Sequence, residues 1–194
     1  MTEFDSRPPR RNFLRAAFAL AAGAAVPPAL AQGASLPATL ECKPGNATRS
    51  QTEGPFYTAR TPLKSDFRTD AQGQPIVLEG LVLNTQCQPI AGAWLDFWHT
   101  DATGEYDNSG FKLRGHQVTD AQGRYKLLTI LPALYPGRTR HIHVKISEKP
   151  GGRVLTTQTY FPGEAGNQRD GLYRPELAAR RTGDLLRMDY VLPA

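Results

Sequence analysis

Apolar and polar residues alternate along much of the chain in short runs. The runs are punctuated by Gly, Pro, Asn and Asp, the pattern of strands joined by tight turns. Pro75-Ile76-Val77-Leu78-Glu79-Gly80-Leu81-Val82-Leu83 is a β-rich run, closed by a polar turn over residues 84–89. Residues 93–100 place Ala93, Leu95 and Phe97 on one side and Trp94, Asp96 and Trp98 on the other, a strand with aromatic cover on both faces. Residues 126–131, 141–146, 153–161 and 186–192 read as further strands, and Arg114-Gly115 leads into a polar loop holding His116. Residues 175–181 predict one short helix with proline at its start. Short, regularly spaced strands with almost no helix predict an all-β fold, a β-sandwich.

Within the run His141-Ile142-His143-Val144-Lys145-Ile146, the two histidines have the period of a strand, so both imidazoles face one side. Imidazole suits iron, copper, zinc and nickel, although an isolated H-x-H also fits a solvated strand face. Two copies of D-x-x-G-x-Y, Asp101 to Tyr106 and Asp120 to Tyr125, each predict a tight turn delivering a tyrosine. Tyr125 leads into a strand and is expected to pack; Tyr106 leads into more irregular chain, where functional groups tend to sit. Tyr135 precedes the histidine strand, with Arg138 and Arg140 between. Tyr106, Tyr135, His141 and His143 together form a hard, electron-rich donor set that suits Fe(III). Structural zinc prefers thiolate and imidazole, and no cysteine lies near this cluster in sequence. A ferric centre with an open position is a Lewis acid able to take a diolate. His99 and His116 are expected to be surface or hydrogen-bonding histidines.

Charge and targeting signals change the picture at the N-terminus. Arg10-Arg11-Asn12-Phe13-Leu14, an uncharged Ala-rich run and Ala29-Leu30-Ala31 follow the order of an export signal over residues 1–31, of the twin-arginine type. The uncharged run is shorter than the ~20 residues of a membrane span and contains Pro27 and Pro28, so no membrane association is expected after removal. Export to the periplasm or beyond is expected, by a route that carries folded proteins. The net charge of +5 falls to +3 once four arginines, Glu3 and Asp5 leave with the signal. No stripe of cations with interleaved aromatics appears, which argues against nucleic acid. Residues 32–50 read as an arm or linker, and 51–194 as the catalytic domain. Cys42 and Cys87 are compatible with a disulfide in an oxidising compartment or with two buried thiols.

The mature chain resembles the intradiol ring-cleavage dioxygenases, from Thr52-Glu53-Gly54-Pro55-Phe56-Tyr57 to Asp189-Tyr190-Val191-Leu192. The motifs that carry the resemblance are Trp98-His99-Thr100-Asp101-Ala102-Thr103-Gly104-Glu105-Tyr106, Thr129-Ile130-Leu131-Pro132-Ala133-Leu134-Tyr135-Pro136, Arg138 ahead of His141-Ile142-His143, and Gln158-Thr159-Tyr160-Phe161. The resemblance implies a prealbumin-like sandwich whose long loops carry a non-haem Fe(III) held by Tyr106, Tyr135, His141 and His143. It implies a small aromatic diol and O2 as partners, with a catechol, protocatechuate or hydroxyquinol type of ring opened to a cis,cis-muconate-type diacid. Tyr135 is then expected to leave the metal and help accept a proton, Arg138 to stabilise carbanionic ring character, and Gln158 to act with them as a pocket amide that contacts the same arginine or a bound intermediate. Tyr57 and Trp98 are expected at the pocket wall.

The segment between Tyr135 and His141 is short and matches the smaller exported branch of the family, which leaves the substrate open. No counterpart of the N-terminal helical segment of catechol 1,2-dioxygenases is visible, which favours a protocatechuate-like, catalytic-domain-only form; a homo-oligomer is compatible with it. Arg140, Lys112 and Arg114 are the cations weighed for a substrate carboxylate. A cupin is disfavoured, because Gly137 lies too close to His141 and no second histidine motif follows. The alternative outside enzymes is a non-catalytic prealbumin-like binding module, which explains Tyr125 but not Tyr135 with Arg138 and the histidine pair.

Overall fold

The computed structural model describes residues 42–193. The expected export signal and the first part of the arm lie outside the described residues.

Strand β1 (Pro75–Leu83) is the spine of the first sheet. It pairs antiparallel with β4 (Arg124–Ile130), in register from Pro75 opposite Ile130 to Leu81 opposite Arg124. Its other edge takes β8 (Leu185–Arg187) and β9 (Tyr190–Val191), both parallel to it, and β7 (Arg180–Thr182) pairs with β8. The second sheet is antiparallel, in the order β3 (Arg114–Val118), β2 (Trp94–Trp98), β5 (His141–Ser147), β6 (Leu155–Tyr160). Alternation sorts the side chains as the sequence implies. Ile76, Leu78, Val82 and Leu127 from one sheet meet Leu95, Phe97, Ile142, Val144 and Ile146 from the other, each at most 1% exposed. Burying such side chains contributes roughly 1.5–3 kcal/mol each. The fold is a β-sandwich.

The outer face of the second sheet is covered by the chain ahead of β1. Arg49 O accepts from Thr157 Oγ1 at 2.8 Å, and Gln51 N donates to Thr156 O at 2.8 Å, both on β6. Pro62 O accepts from His116 N on β3 at 2.9 Å, so this segment crosses the face from one edge strand to the other. Cys42 and Cys87 form a disulfide, which ties the N-terminal stretch to the turn after β1 and resolves the choice the sequence leaves open.

Three local expectations are corrected. Residues 114–118 form a strand rather than a polar loop; β3 is an edge strand whose Arg114 and His116 point to the outer face, so no apolar alternation marks it. The expected helix over 175–181 is a single 3-10 turn, Pro175–Leu177, after which Ala179 N donates to Tyr160 O at 2.9 Å and draws the chain alongside β6 into β7. The expected last strand is broken between β8 and β9. There Met188 O accepts from the Tyr125 hydroxyl at 2.7 Å and lies so close to Gly80 that a Cβ at that position would fall 1.8 Å from it.

Candidate metal centre

Register places one row of side chains across the second sheet: Arg114 on β3 opposite Trp98 on β2, Trp98 opposite His143 on β5, and His143 opposite Gln158 on β6. The next position along puts His141 opposite Tyr160. All of these face outward, away from the sandwich core, because neighbouring residues in a strand alternate. The Trp98 indole stacks on the His143 imidazole, with centroids 4.7 Å apart and planes 8° from parallel.

The two imidazoles turn toward each other. His141 Nε2 lies 3.1 Å from His143 Nε2, and the Tyr106 hydroxyl lies 3.4 Å from His141 Nε2. His141 Nδ1 is 2.6 Å from the carbonyl of Thr139, which only accepts; the proton is therefore on Nδ1 and Nε2 carries the lone pair. Burial lowers the His141 pKa to about 4, helped by the Arg138 cation. Burial also pushes His143 well below the usual histidine value, with His141 and Arg138 adding to it. Both rings are neutral donors at neutral pH. Burial raises Tyr106 to about 12, against the lowering effect of Arg138 and Arg114. A phenol so placed ionises readily only when a cation takes its charge.

Both tyrosine loops are built to approach this pair. Asp101 Oδ1 accepts from the amides of Thr103 at 2.8 Å and Glu105 at 3.1 Å, the turn that the D-x-x-G-x-Y pattern predicts. Gly104 has φ +92°, and a Cβ there would meet Leu134 O at 2.5 Å; only glycine lets this turn lie against the segment that carries Tyr135. Phe56 stacks on Tyr106 at 4.4 Å and meets Tyr135 edge-on at 5.2 Å, while the two tyrosine rings lie 5.9 Å apart. Tyr135 is half-buried.

Arg138 is held from two sides. Its Nε donates to Asp170 Oδ2 at 2.9 Å, and its Nη2 donates to Gln158 Oε1 at 2.7 Å and to the Tyr160 hydroxyl at 3.3 Å. Gln158 Nε2 in turn donates to Thr52 O at 2.9 Å. Tyr57, half-buried, packs its ring 4.9 Å from that of Trp98 and donates its hydroxyl to Asp96 Oδ2 at 3.1 Å; Trp98 itself is 1% exposed.

A family model described as "Dioxygenase" matches residues 52–173. The chain is 29% identical over 158 residues to catechol 1,2-dioxygenase of Acinetobacter baylyi, covering 66% of this chain and 50% of that protein. It is 32% identical over 154 residues to the protocatechuate 3,4-dioxygenase beta chain of Burkholderia cepacia, covering 66% of each. The chain belongs to the intradiol dioxygenase family. Among solved structures, the dioxygenase domain of a dioxygenase carbohydrate-binding protein fusion from the cellulolytic bacterium Streptomyces sp. SirexAA-E superposes with a TM-score of 0.72 at 44% identity, covering 77% of this chain and 99% of that one. The chain spans only about half the length of the Acinetobacter relative.

Several residues around these side chains carried no sequence signal. Asp170, which anchors Arg138 and also accepts from Thr139 N at 2.9 Å, comes from the irregular stretch after β6. Phe56, which lies outside the strands, is the ring between the two tyrosines. His99 is 1% exposed and bonds Thr100 O at 2.6 Å and Thr129 Oγ1 at 2.7 Å, a hydrogen-bonding histidine rather than a surface one. Of the cations weighed for a carboxylate, Arg140 is paired with Glu164 at 3.0 Å, Lys112 is exposed, and Arg114 is buried. A groove of about 360 Å³ lined by Arg60, Trp94, His116 and Val154 opens elsewhere and shares none of the donors. Among the described residues no group of three or more His, Cys, Asp or Glu gathers.

Proposed function

We propose that the protein is a non-haem Fe(III)-dependent intradiol dioxygenase that opens a catecholic ring with O2 to a cis,cis-muconate-type diacid. The observation that carries this reading is the convergence of His143 Nε2 and the Tyr106 hydroxyl on His141 Nε2, at 3.1 Å and 3.4 Å. Two buried imidazole nitrogens facing each other need either a shared proton or a cation between them. The residues fit iron in the ferric state: two neutral imidazoles, with phenols at Tyr106 and Tyr135 to supply negative charge. Bound there, Fe(III) would supply a Lewis acid that takes a diolate and readies it for reaction with O2.

The protein's own groups have separable tasks. Tyr135, half-buried on its loop, would hold the metal together with Tyr106 and the two histidines, and its hydroxyl oxygen is the group that would take a proton from the incoming diol. Arg138 keeps a fixed positive charge beside the reacting ring because Asp170 and Gln158 hold its guanidinium on two sides. Phe56 and Trp98 wall the donors with apolar surface, which excludes water and strengthens each electrostatic contact. The substrate is a small aromatic diol of the catechol, protocatechuate or hydroxyquinol type. Export through the signal over residues 1–31 belongs to the same proposal, and the Cys42–Cys87 disulfide supports an oxidising compartment.

The test is a visible absorption spectrum of the purified mature protein loaded with ferric iron, before and after anaerobic catechol. A tyrosinate-to-iron band that shifts on catechol, followed by ring-opened diacid once O2 is admitted, is the expected result. A protein that stays colourless after reconstitution would instead favour the non-catalytic binding module.

A further inference from the structure

We propose that Arg114 is a positioning residue for Tyr106: it pins the loop that carries this tyrosine and holds a cation over its ring. The inference rests on the ligand role proposed for Tyr106. Arg114 stands at the end of the row that also holds Trp98, His143 and Gln158, and it is 1% exposed. Its Nε donates to the carbonyl of Asp107, the residue after Tyr106, at 2.8 Å. Its guanidinium carbon lies 5.9 Å from the centroid of the Tyr106 ring. Among the described residues neither terminal nitrogen has a hydrogen-bond partner.

A guanidinium buried this deeply normally sits against a carboxylate, because leaving a charge unpaired away from water is costly. The carboxylates nearest in the chain and across the sheet are engaged elsewhere. Asp107 uses Oδ1 on the amides of Ser109 and Gly110 and Oδ2 on the amide of Lys112. Asp96 is taken by Thr61 and Tyr57. Asp107 and Asp96 therefore act on the Arg114 cation only through space, and the Tyr106 ring joins them, its attraction for a cation weak as a phenol and much stronger as the negative ligand of a metal. The backbone is bent to deliver this arrangement. Leu113, a bulky buried residue, takes φ +53°, and its amide is held by Asp70 Oδ2 at 2.7 Å, immediately before β3 begins. Strain of this kind persists where the surroundings over-determine it. Arg114 thus does two things for one residue: it fixes the backbone next to Tyr106 and draws charge from the ring.

The charge has a spectroscopic consequence. Removing a cation from beside a phenolate raises the energy of its donor electrons, so their transfer to ferric iron needs less energy. In iron-loaded Arg114→Met the tyrosinate band is expected to move to longer wavelength, with no such move when Arg114→Met is added to Tyr106→Phe, where the remaining band belongs to Tyr135. Arg114→Lys returns a cation and is expected to bring the band back toward its original position. In the metal-free protein, amide hydrogen exchange over residues 107–112 is expected to be about tenfold faster in both Arg114 variants, roughly the loss of one hydrogen bond. An unshifted band in folded, iron-loaded Arg114→Met overturns the inference while leaving the ligand assignment standing. Should Arg114→Met fail to fold, unchanged exchange in Arg114→Lys overturns it. A wild-type protein with no tyrosinate band removes the ligand reading and this inference with it.

Discussion

Arg138 and Asp170 form a nearly enclosed ion pair: Nε to Oδ2 is 2.9 Å, with the Arg138 side chain 17% and the Asp170 side chain 2% exposed. The same carboxylate oxygen accepts from the backbone amide of Thr139 at 2.9 Å, two residues ahead of His141. Asp170 therefore sets the position of the fixed cation and of the strand entrance together. Asp170→Asn is expected to keep iron bound but to lower kcat/KM by about 10- to 100-fold, the scale of loss that a small misplacement of a catalytic group produces. Steady-state kinetics on protein of equal iron content decides this, and an unchanged kcat/KM would contradict it.

The two kinds of donor should separate under mutation. His143→Ala removes a strand-held imidazole and is expected to abolish iron binding, read as iron per protein by elemental analysis. Tyr135→Phe removes the loop-held phenol and is expected to retain much of the iron while losing turnover. Normal turnover in Tyr135→Phe would remove the proton-accepting role given to it.

Gly104 supports the site through its conformation alone. Gly104→Ala must place a Cβ at a φ of +92° and 2.5 Å from Leu134 O, so the turn bearing Tyr106 moves away from the segment bearing Tyr135. A loss of roughly 1–3 kcal/mol in stability is expected. Weaker iron retention should accompany it. Denaturant titration with parallel iron analysis checks both, and wild-type values in each would refute the role.

Stability should fall on mild acidification even without metal. Burial lowers His99 to about 4, whereas in the unfolded chain it protonates near its ordinary value of about 6.5. Between those values the unfolded state binds more protons, so this contribution is full above about pH 6.5 and is lost progressively as pH falls toward about 4. His141, also lowered to about 4 by burial, adds the same sign. Asp96, raised by burial, works in the opposite direction and offsets part of the loss. Denaturant midpoints of the metal-free protein at about pH 7 and about pH 5 should differ, and His99→Gln should reduce the difference. Equal midpoints in the wild type would rule the linkage out.

How far the sequence could be read depended on what each element buries. β1, β2, β4, β5 and β6 alternate because one face packs into the core, so their existence and the facing of His141 and His143 were legible. β3 was not, because its outward side chains are Arg114 and His116 and its position opposite Phe97 is Gly115. The break between β8 and β9 depends on a carbonyl meeting Gly80, a contact between distant parts of the chain that no local pattern records. Asp170 was silent for the same reason: an aspartate in an irregular stretch acquires its role only when the fold sets it against Arg138. Gln158 was singled out by motif, but its place beside His143 follows from the β5–β6 register.

That register has a consequence for how such a site is held. Because Arg114, Trp98, His143 and Gln158 occupy one line across the sheet, a one-residue slip of β5 would put Ile142 or Val144 in the place of His143 and turn the proposed histidine donors into the core. The segments carrying Phe56, Tyr106 and Tyr135 lie outside the strands and are free of that parity. The proposed metal site is therefore held half by a frame of fixed parity, at His141 and His143, and half by loops, at Tyr106 and Tyr135.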